Sequence, residues 1–175
     1  MNTNDTFIDF IIKGTNKYIK IKIDDDKKID EILQNNLFSM KRLICLDFHG
    51  VADLYHDNEK IPNELPKVII SYIGGSPSTL QNAFNSINPR VQSGEVLLGI
   101  VVYKKHDEPI CGTKGWVLNK IALIESIKRI YFIDDSRKNI QCVNNVHNDK
   151  IKTYYLDKKS SNPKELLTAL LNRKI

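Results

Sequence analysis

Two short apolar runs that stop at acids constrain this chain more than anything else in it. Leu43-Ile44-Cys45-Leu46 ends at Asp47 and runs on into Phe48-His49-Gly50-Val51. Ile130-Tyr131-Phe132-Ile133 ends at Asp134-Asp135 and runs on into Ser136-Arg137-Lys138-Asn139. Unbroken apolar runs of this length read as strands buried on both faces, the pattern of a parallel sheet. In an open parallel sheet, ligands bind in the crevice past the C-terminal strand ends. Acids carried on two such ends converge there, and three carboxylates drawn together repel unless a cation neutralises them. The pattern therefore predicts a Mg²⁺ site made of Asp47, Asp134 and Asp135. Each motif alone has a plainer reading: a turn-forming Asp ahead of Gly50, and a helix N-cap with an acidic neighbour.

The remainder of the chain supports the same architecture. Strands are expected at 43–47, 67–72, 97–103, 130–134 and 151–156, with helices between them. Ser76-Pro77 opens one helix, with serine as cap and proline at the first helical position. A second, over 113–128, carries Val117, Leu118, Ile121 and Ile124 on one stripe. A third starts at Asn162-Pro163 and buries Leu166, Leu167, Leu170 and Leu171. This alternation predicts an α/β fold, a parallel sheet with helices on both faces. Residues 1–40 read as a separate hairpin-helix appendage to a core over 41–175. Phe7–Ile12 and Tyr18–Ile23 pair across the loop 13–17, and a helix begins at Asp24–Asp26.

Charge and cysteine content narrow the function classes. The net charge of +5 is scattered along the chain, and few aromatics alternate with the basic residues, so nucleic-acid binding has only weak support. Cys45, Cys111 and Cys142 are odd in number and lack metal-ligand spacing. A disulfide framework is not expected, and a reducing, cytoplasmic location is. Phe7–Ile12 is too short for a signal peptide and is broken by Asp9. No apolar run has the length of a membrane span.

With these residues in order, the chain resembles the haloacid dehalogenase-like superfamily of phosphotransferases over about residues 40–160. Asp47 to Val51 is similar to its nucleophile motif, and Val68-Ile69-Ile70-Ser71 to its second motif, an apolar strand ending in Ser or Thr. Thr113-Lys114-Gly115-Trp116-Val117-Leu118 is similar to its lysine-bearing helix start, and Asp134-Asp135 with Asn139 to its acidic motif. The resemblance implies a Rossmann-like core with five parallel strands in the order 3-2-1-4-5. It also implies an Asp47 nucleophile that passes through an aspartyl-phosphate. Ser71, Tyr72 and Lys114 would bind the phosphoryl group. Mg²⁺ would be held by Asp47, Asp134, Asp135 and the backbone carbonyl of His49. Lys120 lies deeper in the helix and reads as a surface lysine.

One residue departs from the family pattern. Its phosphatases carry a second Asp two positions after the nucleophile, as general acid and base, and here that position is His49. Imidazole is competent for both roles, but its ring is longer than a carboxyl. Three outcomes follow: a specialised phosphatase, an inactive module that binds a phosphorylated partner, or a hydrolase of another bond. Neither 52–66 nor 104–112 has room for a cap domain. The expected substrate is therefore an accessible phosphomonoester, on a small molecule or a macromolecule.

Overall fold

The computed structural model describes residues 6–56, 58–104 and 112–173. Seven strands and five helices follow one another: β1 Thr6–Ile12, β2 Tyr18–Lys22, α1 Asp26–Leu37, β3 Arg42–Asp47, β4 Lys67–Gly74, α2 Pro77–Gln92, β5 Leu98–Lys104, α3 Gly112–Ala122, β6 Arg129–Asp134, α4 Arg137–Asn144, β7 Ile151–Tyr155 and α5 Pro163–Leu171. Among the described residues all seven strands join one sheet in the order β2-β1-β5-β4-β3-β6-β7. The stretch β5-β4-β3-β6-β7 is parallel, while β1 runs antiparallel to β5 and β2 antiparallel to β1.

The expectation of a five-stranded parallel sheet is corrected here, because the sheet is seven-stranded and mixed. β1 pairs along the whole of β5, from Thr6 opposite Lys104 to Ile12 opposite Leu98. The physical reason lies in its two apolar faces. Ile8 and Phe10 pack with Ile23, Ile29, Leu33 and Leu37 in the core beneath α1 and α3. Ile11 packs with Ile87 and Val91 of α2 in the core on the other face. An isolated hairpin is marginal in water, and an open β5 edge would be exposed to chance pairing; joining the two removes both problems.

Local signals place the helices. Asp25 accepts from the Lys28 N–H, Ser76 from the Thr79 N–H and Asn162 from the Glu165 N–H, each satisfying a first-turn donor. α3 ends at Ala122, six residues before the expected 128; Ile124 and Ile127 still reach the core, from turns. Cys45 is free and buried, as its place in a strand implies, and Cys111 lies outside the described residues. Cys142 on α4 is disulfide-bonded, a single bond that falls short of a framework but weakens the cysteine argument for a reducing compartment. Among the described residues, no helix is long and apolar enough to cross a membrane.

Asp9 is the costly residue of β1. Only 3 % of it is exposed, and it accepts a hydrogen bond from the Tyr103 hydroxyl at 3.0 Å. Burial raises its carboxyl to about 6, against the lowering effects of Tyr103 and Lys20. A raised acid contributes stability that is full below its unfolded value, 3.8, and is lost as pH rises through about 6. Asp9→Asn keeps an oxygen for Tyr103 and removes the charge. The variant is expected to be about 1–3 kcal/mol more stable at pH 8, with the gain shrinking toward pH 4, as read from denaturant midpoints.

Candidate metal centre and active site

β3 and β6 are neighbours in register, Leu46 opposite Ile133, so Asp47 and Asp134 emerge side by side at their C-terminal ends. Side chains alternate along a strand. Leu43 and Cys45, like Ile130 and Phe132, face the α1/α3 core, and Asp47 and Asp134 continue that face. One ligand oxygen from each of Asp47, Asp134 and Asp135 lies within 4.8 Å of the others.

Lys114, near the start of α3, reaches this cluster from the same side. It is fully buried, with Nζ 2.8 Å from Asp47 Oδ1 and 3.0 Å from Asp134 Oδ2. The Nζ also sits over the rings of Tyr72 and Phe132, at 5.2 and 5.5 Å. Tyr72 hydrogen-bonds the Thr113 side chain and the backbone at Thr113 and Lys114, fastening the start of α3 to β4 and aiming the lysine. Burial pushes its phenol well above the ordinary range. Lys120, by contrast, pairs with Asp26 and Asp30 of α1, away from the site.

The donors around Asp134 decide how the cluster divides. Its Oδ1 accepts from the Ser136 N–H at 2.9 Å, and its Oδ2 from Lys114 and from Asn139 Nδ2 at 3.1 Å. Asp134 gives both oxygens to protein donors while Asp47 and Asp135 keep more lone pairs free, and all three carboxylates stay within reach of one ion. Asp135 meets Lys158 at 3.3 Å, and that lysine side chain is 63 % exposed and readily displaced. Hard carboxylate oxygens in this number suit Mg²⁺, which keeps several waters of its own. The donor set fits the metal. Burial raises the Asp47 carboxyl to about 7; Lys114 opposes this, and Asp134 and Asp135 add to it. A divalent cation relieves that excess of negative charge.

Gly50 shapes the turn after β3. Its φ is +82°, and a Cβ there would run into the Asp135 carboxylate. Asp53 accepts from the Gly50 N–H at 2.8 Å and holds the turn from behind, as the second half of a capping box does. Gly50→Ala is expected to lower stability by about 1–2 kcal/mol through backbone strain. By displacing Asp135 it should also weaken Mg²⁺ binding about tenfold, read by titration calorimetry.

Two expected residues stand apart from the cluster. Ser71 follows Ile69 and precedes Ile73, both on the α2-facing core, so it faces the layer opposite Asp47. It is fully buried and its hydroxyl has no partner. The His49 side chain is exposed, its ring edge-on to Phe48 at 5.1 Å. His56 is exposed too, in a segment strapped to α2 and α5. Arg90 donates to the Tyr55 carbonyl, Tyr55 bonds Thr168, Glu95 accepts from the Ile61 N–H, Lys164 pairs with Glu59, and Asn63 donates to Leu171. That segment is a strap, not a lid.

Lys158 and Asp53 were not legible as site residues. Lys158 reads as one more scattered lysine until β6 and β7 are paired. Asp53, three residues after Gly50, carries a faint signal in its capping-box spacing. No protein-family model matches the chain, and no curated protein or solved structure matches it significantly.

Proposed function

We propose that the chain is a Mg²⁺-dependent phosphoric monoester hydrolase of the haloacid dehalogenase-like type. The observation that carries this reading is a buried lysine gripping two strand-end aspartates, with a third carboxylate beside them. Asp47 is the nucleophile: its carboxylate attacks phosphorus, the ester oxygen leaves, and an aspartyl-phosphate forms. Lys114 holds Asp47 in position and sets positive charge where negative charge grows in the transition state, inside a site that excludes water from its ammonium. Asp134 and Asn139 position Lys114. His49 lies two residues past the nucleophile and swings in to protonate the leaving oxygen, then activates water against the acyl-phosphate. Mg²⁺ held by Asp47, Asp134 and Asp135 would neutralise the phosphoryl oxygens, which those carboxylates would otherwise repel.

The test is release of phosphate from an aryl phosphate, measured with Mg²⁺ and after chelation. Turnover that depends on Mg²⁺ supports the reading, and no turnover at saturating Mg²⁺ overturns it. A second reading is favoured by His49, whose ring packs on Phe48 in the exposed turn: a module that binds a phosphorylated partner without hydrolysing it. His49→Asp separates the two. The hydrolase reading expects altered turnover from an active parent, whereas the module reading expects activity gained from a silent one.

A further inference from the structure

By closing on β5, β1 moves the open end of the sheet outward to β2. The two ends of the sheet differ. At the β7 end every residue but Lys152 is at least partly covered, and the Thr153 hydroxyl is tied to Asn144 of α4. In β2 only Ile21 is buried, and Tyr18 and Ile19 are each 41 % exposed. Among the described residues, nothing outside β1 bonds the β2 backbone except the Asp25 N–H, which donates to the Lys22 carbonyl at 3.0 Å. The register fixes what each face presents. Tyr18, Lys20 and Lys22 stand opposite Ile11, Asp9 and Phe7 on the α2 side, while Ile19 and Ile21 stand opposite Phe10 and Ile8 on the α1 side. Lys20 Nζ lies 4.5 Å above the Phe7 ring, and Tyr18 meets Phe84 of α2 edge-on at 5.5 Å.

Charge at this edge is net positive. Residues 13–23 carry Lys13, Lys17, Lys20 and Lys22, all exposed, and no acid. Against these four stand two acids: Asp9, the buried register partner of Lys20, and the exposed Asp24. Asp25 and Asp26 belong to α1, the first as its cap and the second paired with Lys120. Among the described residues, no acid comes within ion-pair distance of any of the four lysines.

We infer that β2 is a docking edge for an extended acidic segment of a partner protein, which adds an eighth strand to the sheet. A peptide supplies the backbone donors and acceptors that an edge strand leaves unpaired. Acids at every second position meet Lys20 and Lys22 across the new pair, and apolar residues between them cover Ile19. A second copy of the chain is the wrong occupant. Antiparallel pairing about a two-fold at Lys20 sets Lys20 against Lys20, the like-charge guard that edge lysines provide. A nucleic acid meets the lysines but leaves the backbone groups of the edge unpaired. The edge lies four strands from β3, ~19 Å away, so docking is independent of the hydrolase reading.

The probe is a labelled, end-capped peptide of alternating Glu and Val, titrated with the full chain and read by fluorescence anisotropy. Saturable binding that weakens as salt rises is the expected result, and no binding at low salt overturns the inference. Lys20→Gln with Lys22→Gln keeps the aliphatic stems and should weaken binding about three- to tenfold. Lys22→Glu alone leaves Lys20 over its ring, and should turn preference from the Glu-Val peptide to a Lys-Val peptide; an unchanged preference overturns the inference. A Glu-Val peptide N-methylated at alternate residues keeps its charge and loses the N–H groups of one edge, and should bind about tenfold more weakly or worse. Equal binding of that peptide, or of oligothymidylate of the same charge, shows that charge alone suffices and removes the docking edge. Sedimentation of the full chain is expected to show a monomer, whereas a dimer that the Glu-Val peptide dissociates would assign the edge to a second copy instead. Aryl phosphate turnover without peptide binding removes this inference and keeps the hydrolase reading. Peptide binding without any turnover does the reverse.

Discussion

Lys114→Met is expected to cost about 3–5 kcal/mol of unfolding stability, the largest single effect in the molecule. The lysine is fully buried, and its Nζ is shared between Asp47 and Asp134. Methionine fills a similar volume over the Tyr72 and Phe132 rings, so the loss is not one of packing. It leaves two carboxylates facing each other out of water, and the nearest relief is protonation of one of them. The variant should therefore recover stability as pH falls, opposite to ordinary acid unfolding. Adding Asp47→Asn should restore much of the loss, and the double-mutant cycle should show strong coupling. If Lys114→Met unfolds at the same denaturant concentration as the parent, the grip of this lysine on the two aspartates is not what organises the site.

If the chain is the proposed hydrolase, Asp47→Asn alone is expected to abolish phosphate release, by about 10³-fold or more, because an amide cannot form the covalent intermediate. It should not unfold the protein. Burial, the largest cause, raises the Asp47 carboxyl to about 7, with Asp134 and Asp135 adding to the rise and Lys114 opposing it. By linkage, a raised acid contributes stability that is full below its unfolded value of 3.8 and is lost as pH rises through about 7. At pH 8 without metal the parent carries that cost, and the asparagine variant does not. The expected pair of results is lost turnover with an equal or higher denaturant midpoint at pH 8. A fall in midpoint would mean that Asp47 is a structural partner of Lys114 first, and the assignment as nucleophile would lose its support.

Both predictions concern residues that stand out in the amino-acid sequence itself, and the reason is physical. An acid that ends an apolar run is conspicuous because burial of a charge is costly. Asp47 and Asp134 break runs that would otherwise read as strand interior. Lys114 is legible in a weaker sense, since a lysine at a helix start is ordinary. Its complete burial, and its choice of Asp47 and Asp134 over Asp135, depend on where α3 crosses β3 and β6. Ser71 shows the limit of motif reading. It stands inside β4, which runs on to Gly74, and alternation along that strand turns its hydroxyl to the opposite layer from Asp47; a count of residues does not reveal which face a strand presents to which helix.

Periodicity and local chemistry within the chain determined its strands, its capped helices at Ser76 and Asn162 and the acids at two strand ends. These are short-range properties, each encoded within a turn or a strand of its own residues. The tertiary structure alone decided that β1 closes on the β5 edge to make a mixed sheet, that Asp134 is committed to Ser136, Lys114 and Asn139, and that Lys158 stands against Asp135. Each of those outcomes is a competition among groups far apart in sequence for the same surface or the same proton, settled by which partner the packed layers bring within reach.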